Sequence, residues 1–356
     1  MKKLLFLLAF SIISIISFSQ FTISGRVVDS ETKEPLQGAS VFAQNTTKGT
    51  TTDSAGAFNL YLDKGGYELI ISFTGYESQT LMVEGEARQF LIDLKKADNS
   101  MSEVIIKSSN EVPDGWEKYG EFFLDRFIGS TPFADSCYLE NPEALKFLYY
   151  KRNDRLKILA SEPLTIVNNA LGYNLRYELD SFVHYFQTGM YSYRGLCLYS
   201  EIDTTWEQRQ TWLANREQVY FGSRLHFLRS YYDSSLKREG FTVDVLSVPG
   251  SSKFARLSNP YDSTYYYFND STANALLWFP VTASVTYERK APEKEYLQQY
   301  KLPLNVKMQI SYIDLHDEIL IKPNGYFFPQ SSWINQGYWS WKNLADQLPY
   351  DYEPRL

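Results

Sequence analysis

The stretch Thr52-Asp53-Ser54-Ala55-Gly56-Ala57-Phe58-Asn59-Leu60-Tyr61-Leu62 decides how the N-terminal part of this chain folds. Phe58, Leu60 and Leu62 alternate with Asn59 and Tyr61. At a repeat of two they share one face of a strand and would fill a core between two sheets. The residues before them are turn chemistry: Asp53 can accept backbone N–H groups, and Gly56 supplies the positive φ that a tight turn needs. The same grammar continues on both sides. Phe21, Ile23, Val27 and Val28 precede the turn Asp29-Ser30-Glu31-Thr32-Lys33-Glu34-Pro35, and Ala39-Ser40-Val41-Phe42 follows it. Gly65-Gly66 turns the chain into Tyr67-Glu68-Leu69-Ile70-Ile71-Ser72-Phe73. Short strands punctuated by Gly, Pro and Asp predict an antiparallel β-sandwich over residues 20–95.

Four segments carry a family resemblance: Gly25-Arg26-Val27-Val28-Asp29, Pro35-Leu36-Gln37-Gly38-Ala39-Ser40-Val41, Thr52-Asp53-Ser54-Ala55-Gly56-Ala57-Phe58 and Ile71-Ser72-Phe73-Thr74-Gly75-Tyr76. In this order they resemble the carboxypeptidase regulatory-like domain. That resemblance implies a transthyretin-like, Ig-like sandwich. It also implies two settings, behind a zinc carboxypeptidase domain or at the N-terminus of a TonB-dependent receptor of Gram-negative envelopes. Residues 101–106, Met-Ser-Glu-Val-Ile-Ile, look like the short strand that precedes the plug in such receptors. The roughly 250 residues that follow are too few for a plug and a large barrel, so the receptor reading fails on length. The peptidase reading fails on ligands. His184, His226 and His316 are followed three residues on by Gln187, Arg229 and Ile319, so no His-x-x-Glu zinc pair exists.

The amino terminus sets the expected compartment. Lys2 and Lys3 precede a thirteen-residue apolar run at positions 4–16, and Ser17-Phe18-Ser19 offers small residues for cleavage before Gln20. This pattern predicts a signal peptide over residues 1–19, and the run is shorter than the roughly 20 residues a membrane span needs. Cleavage takes 35 basic residues to 33 against 42 acidic, a net of −9. Such a balance gives no electrostatic footprint for nucleic acid. No later stretch reads as a transmembrane span. The expectation is an exported protein, periplasmic or associated with the outer membrane, with an envelope protein or a glycan as partner. Export also permits a disulfide between Cys137 and Cys197, the chain's 2 cysteines. The alternative is two buried free thiols.

After a polar linker at 96–115, residues 116–356 change character. Trp116, Tyr119, Phe122, Phe123 and Phe127 recur at helical spacing behind Asp114 as N-cap. Strand patterns follow at 144–150, 156–160, 173–186 and 190–200. A long helix is expected over 205–237, capped by Thr204 or Thr205 and kinked at Gly222-Ser223. Further strands are expected at 241–247, 265–268, 283–289 and 309–321, with a closing helix around 341–348. The order predicts an α+β domain with an antiparallel sheet. Glu162-Pro163-Leu164-Thr165-Ile166-Val167, Leu171-Gly172-Tyr173 and Tyr220-Phe221-Gly222-Ser223 resemble exported bacterial proteins that carry the same N-terminal module. That resemblance implies no mechanism.

Three groups are candidates for chemistry. Asp314, His316 and Glu318 would share one strand face and could form an acid–base or metal-binding set; a solvent-facing strand end is the plainer reading. His226 with Arg216, Arg224 and Arg229 could clasp an anion, although Glu207, Glu217 and Asp233 on the same helix offer internal pairing. Trp333, Trp339 and Trp341, in a tail with Tyr326, Phe327, Phe328 and Tyr338, could stack on sugars or build a core. Two Ser-x-x-Lys matches, Ser30-Glu31-Thr32-Lys33 and Ser234-Ser235-Leu236-Lys237, lie in a turn and at a helix end and lack companion motifs. No phosphate loop, dinucleotide fingerprint or other cofactor motif occurs. The sequence therefore favours a non-enzymatic envelope protein, with a carboxylate-based hydrolase or a glycan-binding protein as alternatives.

Overall fold

A computed structural model describes residues 20–63, 66–97, 110–246, 253–270 and 272–355. The expected signal peptide, the strand-like residues 101–106 and the middle of the expected linker lie outside the described residues. The N-terminal module is the expected sandwich, except that its first and last strands pair in parallel where antiparallel pairing was expected. Strands β1 (Phe21–Asp29), β4 (Ala57–Leu62) and β7 (Arg88–Leu94) form one sheet in the order β4-β1-β7. Strands β2 (Ser40–Ala43), β3 (Gly49–Thr51), β5 (Gly66–Ser72) and β6 (Gln79–Glu84) form the other in the order β3-β2-β5-β6. Phe58, Leu60 and Leu62 point inward onto Ile23, Val41, Leu69 and Ile71, all nearly inaccessible to solvent. The turn behaves as its residues dictate. Asp53 accepts the N–H groups of Ala55 and Ala57 at 2.8 and 2.9 Å, and Gly56 sits at φ +72°. A Cβ on Gly56 would stand 2.5 Å from the Val27 carbonyl, so only glycine fits.

Beyond the sandwich the architecture is α+β with antiparallel sheets. A six-stranded sheet is built from β8 (Cys137–Leu139), β9 (Leu145–Tyr150), β10 (Arg155–Ala160), β11 (Leu164–Asn168), β12 (Tyr173–Tyr185) and β13 (Met190–Glu201). β12 is long enough to pair with β11 over Tyr173 to Tyr177 and with β10 over Phe182 to Tyr185, while β13 follows its other edge. The helix Gly115–Phe127 lays Phe123 and Phe127 on this sheet, edge-on to Phe182 and Tyr177 at 5.2 and 5.0 Å. Asp114 occupies the N-cap position of that helix, but its side chain makes no capping bond.

A second core lies under two further sheets. One joins β14 (Phe241–Leu246), β15 (Phe254–Arg256), β18 (Ala283–Tyr287), β19 (Gln309–Leu315) and β22 (Trp333–Gly337) in the order β15-β14-β18-β19-β22. The other joins β16 (Tyr266–Asn269), β17 (Asn274–Leu277), β20 (Ile319–Ile321) and β21 (Phe327–Phe328). The run 309–321, expected as a single strand, is therefore two strands in different sheets.

The long helix expected over 205–237 is three helices: Trp206–Tyr220, Arg224–Tyr232 and Leu236–Glu239. Thr205 caps the first by accepting the Gln208 N–H. The break falls at Gly222, φ +90°, where Ser223 starts a new helix by accepting the His226 N–H at 3.1 Å. The closing helix comes earlier than expected, at Tyr338–Trp341, followed by a short 3-10 turn at Leu344–Asp346.

Among the described residues the sandwich is fastened to this body chiefly at two places, with the Ser72 hydroxyl also donating to Glu178 on β12 at 3.0 Å. The β2–β3 turn reaches the edge of β13: the Asn45 N–H donates to Cys197 O at 2.7 Å, and the Tyr199 N–H donates to Thr46 O at 2.9 Å. On its other side the same turn takes the C-terminal segment, where the Tyr350 N–H donates to Asn45 O at 2.7 Å. Asp351 then accepts from the Thr47 N–H at 2.9 Å and from its hydroxyl. At the second place Lys322, 3% exposed, donates to Glu84 Oε1 at 2.6 Å and to Asn274 Oδ1 at 2.7 Å. Its aliphatic stem lies over Gly66, where a Cβ would come within 2.5 Å of it. Asn324 donates to Gly66 O, and the Tyr326 hydroxyl donates to Glu68 at 3.2 Å.

Truncating Lys322 leaves Asn274 and Glu84 without their shared donor. Lys322→Ala should lower unfolding stability by about 2 kcal/mol, read as a fall in the denaturant midpoint. Hydrogen exchange in β5 and β6 should accelerate in the same variant, and Lys322→Arg should restore part of both losses.

Candidate functional site

The structure does not gather the three expected groups into one site. β19 stops at Leu315, so Asp314 lies on a strand while His316 and Glu318 lie in the turn that follows. Alternation, which would have aligned the three, ends where the strand ends. Asp314 is occupied on the outer sheet face, accepting from the Thr282 hydroxyl at 2.5 Å and from Gln336 Nε2 at 3.2 Å. Among the described residues no group of three His, Cys, Asp or Glu side chains could hold a metal.

The aromatic tail is core rather than a stacking platform. Trp333, Trp339 and Trp341 are 7%, 6% and 2% exposed, which removes them as sugar-binding candidates. Each indole N–H is also satisfied inside the protein: Trp333 donates to Asn335, Trp339 to Gly222 O and Trp341 to Gln299. Burial without a lost hydrogen bond is the condition for Trp in a core.

Cys137 and Cys197 are free thiols. They sit on β8 and β13, and β11 and β12 lie between those strands. Three strand spacings separate their backbones by at least roughly 14 Å, well beyond the ~7 Å that a disulfide bridges. Burial pushes the Cys137 thiol up to about 12, so it stays protonated and unreactive at neutral pH.

Two arginines of the expected anion clasp, Arg216 and Arg229, are spent on the fold, while Arg224 is half-buried with its guanidinium 5.3 Å from the centre of the Phe327 ring. Arg216 is buried over the Tyr173 ring at 3.9 Å. It donates from Nε to Leu171 O at 2.7 Å and from a terminal nitrogen to Glu201 at 2.6 Å. Burial would raise the Glu201 carboxyl, but Arg216 and Arg209 outweigh it and hold the group below its ordinary value. Arg229 donates to the carbonyls of Asn324 and Tyr350, again at the seam with the sandwich. His226 lies among Tyr220, Phe221, Phe241 and Tyr287, and its Nδ1 accepts the Gly222 N–H at 3.2 Å. Burial drives it down to about 4 against the opposing pull of Glu239, so the imidazole is neutral at pH 7.

Residues that sequence reading did not single out make the remaining polar clusters. Lys342 bridges Glu293 at 3.1 Å and Asp346 at 2.9 Å, and Asp346 also accepts from Thr131 at 2.6 Å. This buried set joins the two cores of the α+β region. Burial raises the Asp346 carboxyl despite Lys342. Asp346 lies near Lys342 in sequence, whereas Thr131 and Glu293 do not, and only the fold brings them together.

Two open grooves are present among the described residues. One, of about 470 Å³, lies beside the sandwich contact and is lined by Thr47, Gly49 and β13 residues Leu198, Tyr199, Ser200 and Glu201. The other, of about 330 Å³, lies at the start of the helix Gly115–Phe127, where Glu111, Glu117 and Glu143 surround Trp116.

Residues 23–106 match the family model of the CarboxypepD_reg-like domain, in agreement with the sandwich geometry. A stretch of 112 residues is 38% identical to the TonB-dependent receptor SusC of Bacteroides thetaiotaomicron, covering 31% of this chain and 11% of the receptor. The chain thus spans about a tenth of that relative's length. Solved structures with some similarity include the C-terminal domain of the shaft pilin SpaA from Lactobacillus rhamnosus, at 16% identity and a TM-score of 0.19 over 22% of this chain and 98% of that one. They also include a putative membrane-associated protein of unknown function from Bacteroides fragilis, at 10% identity and a TM-score of 0.19 over 89% of this chain and 93% of that one. Likeness at this level supports no conclusion.

Two outcomes follow. His226 binds a proton more readily in the unfolded chain than in the fold, so its contribution is complete above about pH 6.5 and is lost as pH falls towards 4. Wild-type stability should drop over that window by up to about 3 kcal/mol, and His226→Phe should flatten the drop. Native protein should resist alkylation at Cys137 and Cys197, and both thiols should react once it is denatured without reductant.

Proposed function

We propose that this chain is an exported, envelope-associated protein without catalytic activity. In this reading the sandwich is a docking module and the α+β region binds a partner. The observation that carries it is the fastening of the sandwich: Asn45, Thr46 and Thr47 are hydrogen-bonded on one side to β13 and on the other to residues 350–351. A module tied by backbone bonds to both an edge strand and the C-terminal segment presents one composite surface, which suits recognition by a larger partner. The match of residues 23–106 to the CarboxypepD_reg-like domain and the similarity of a 112-residue stretch to a TonB-dependent receptor support the envelope setting. The leader-like residues 1–19 support export by the same reasoning as any cleavable signal. Periplasm or the periplasmic side of the outer membrane is the location this favours. The internal engagement of Asp314, Arg216 and His226 supports a structural use of the groups that a hydrolase would need free.

Expression of the full chain in a Gram-negative host, followed by fractionation and N-terminal sequencing, tests the reading. Mature protein should begin at Gln20 and sediment with the envelope. Retention of residues 1–19 in the cytosol would contradict it. So would hydrolysis of a peptide or glycan by the purified mature protein, lost in an Asp314→Asn/Glu318→Gln variant.

A further inference from the structure

One exposed apolar patch is contiguous along the chain. Tyr300, Leu302, Leu304, Met308 and Ile310 are 47%, 39%, 67%, 42% and 37% exposed. Five exposed apolar side chains within eleven residues are a concentration of the kind that marks a contact surface on a protein. The charge of the patch differs from the rest of the molecule. Lys301 and Lys307 flank the apolar tip, and no acidic residue occurs between Glu295 and Asp314, in a chain whose net charge is −7. Both lysines are exposed.

Hydrogen bonds hold the loop at both ends. The helix Lys294–Gln299 ends with the Leu302 N–H donating to Leu297 O at 2.7 Å, and Lys301 takes the left-handed conformation at φ +52°. This is the way helices close when the chain turns sharply away. A hydrophobic residue at the position of Leu302 commonly folds back on the helix in such a closure; here it points to solvent. The Val306 N–H donates to Pro303 O at 3.2 Å, and Gln309 Nε2 donates to Ala291 O at 3.3 Å, fixing the far side of the loop.

We infer that the loop at residues 300–310 is a membrane-surface anchor, which lays Leu302, Leu304 and Met308 into the interface of an anionic phospholipid leaflet while Lys301 and Lys307 meet its headgroups. Apolar side chains bracketed by lysines are the pattern that such a surface recognises, because acyl burial and headgroup attraction act at adjacent depths. Long lysine side chains can reach back to the headgroups as the tip enters. The two lysines are the patch's only charged side chains, and both are positive, which complements an anionic leaflet. The acidic remainder of the molecule is repelled by the same leaflet, which orients the loop towards it. The inference deepens the envelope reading by naming the contact.

Purified mature protein, residues 20–356, is sedimented with vesicles of phosphatidylcholine alone and of phosphatidylcholine with phosphatidylglycerol. It should bind the anionic vesicles and release as salt is raised. Lys301→Glu/Lys307→Glu should lower the partition coefficient about tenfold or more, and Leu302→Ser/Leu304→Ser should lower it comparably. Both pairs are exposed, so each variant should keep the wild-type thermal midpoint. No binding to anionic vesicles overturns the inference, as does wild-type binding by both variants or equal binding to neutral and anionic vesicles. A loop that docks on a protein instead would leave the vesicles unbound. Failure here leaves export and envelope fractionation intact, so the two readings fail separately.

Discussion

The hydrogen bonds around the β2–β3 turn are the constraint on which the rest of the structure depends. An edge strand such as β13 exposes unpaired backbone groups that would otherwise pair with another chain. Here Asn45 and Thr46 cap that edge at Cys197 and Tyr199, and the turn's outer side takes Tyr350. One short loop therefore ties the sandwich, the six-stranded sheet and the C-terminal segment together. The second fastening, at Lys322, works by a different rule. A lysine can be buried only where its ammonium is paired, and Glu84 and Asn274 supply the pairing from opposite sides of the seam. The sandwich is accordingly a fixed part of the surface instead of a spacer on a tether.

Several ionisable side chains that sequence singled out, and others beside them, are drawn into these seams and cores. Arg216, Arg229, Lys322, Lys342, Asp346 and His226 are buried or nearly so, and each has carbonyl, carboxylate, hydroxyl or amide N–H partners, with Arg229 Nη1 alone of these left without one. Their roles are to satisfy helix ends, turns and seams between cores. The aromatic surplus is used in the same way. Tyr and Trp fill the two α+β cores, and their polar ends find backbone or side-chain partners. The two grooves and the exposed apolar loop at 300–310 are open to other molecules.

Local pattern made much of the fold legible. The alternation of Phe58, Leu60 and Leu62, the Asp53–Gly56 turn and the long hairpin of β12 and β13 are short-range features, and each forms where its residues indicate. The kink at Gly222 was also legible, though it proves to be a full break, because a residue at positive φ ends one helix and Ser223 starts another. Misreadings arose where long-range pairing decides. The polar residues His316, Asp317 and Glu318 form a turn between strands of different sheets, so a run that looked continuous is two elements. Cys137 and Cys197 share a sheet but not neighbouring strands, which no spacing in sequence reveals. The fastening residues were invisible for the same reason. Asn45, Thr47, Glu84 and Lys322 are ordinary polar residues in sequence, and only the fold makes them partners.

Backbone amide exchange at the seam tests the central claim most directly. The N–H groups of Asn45, Tyr199 and Tyr350 donate across the boundary between sandwich and body. If the three parts form one unit, these amides should exchange as slowly as those in β1 and β12. Exchange at the rate of an unprotected loop, with β1 and β12 still protected, would mean that the sandwich and the body fold separately and touch only in passing.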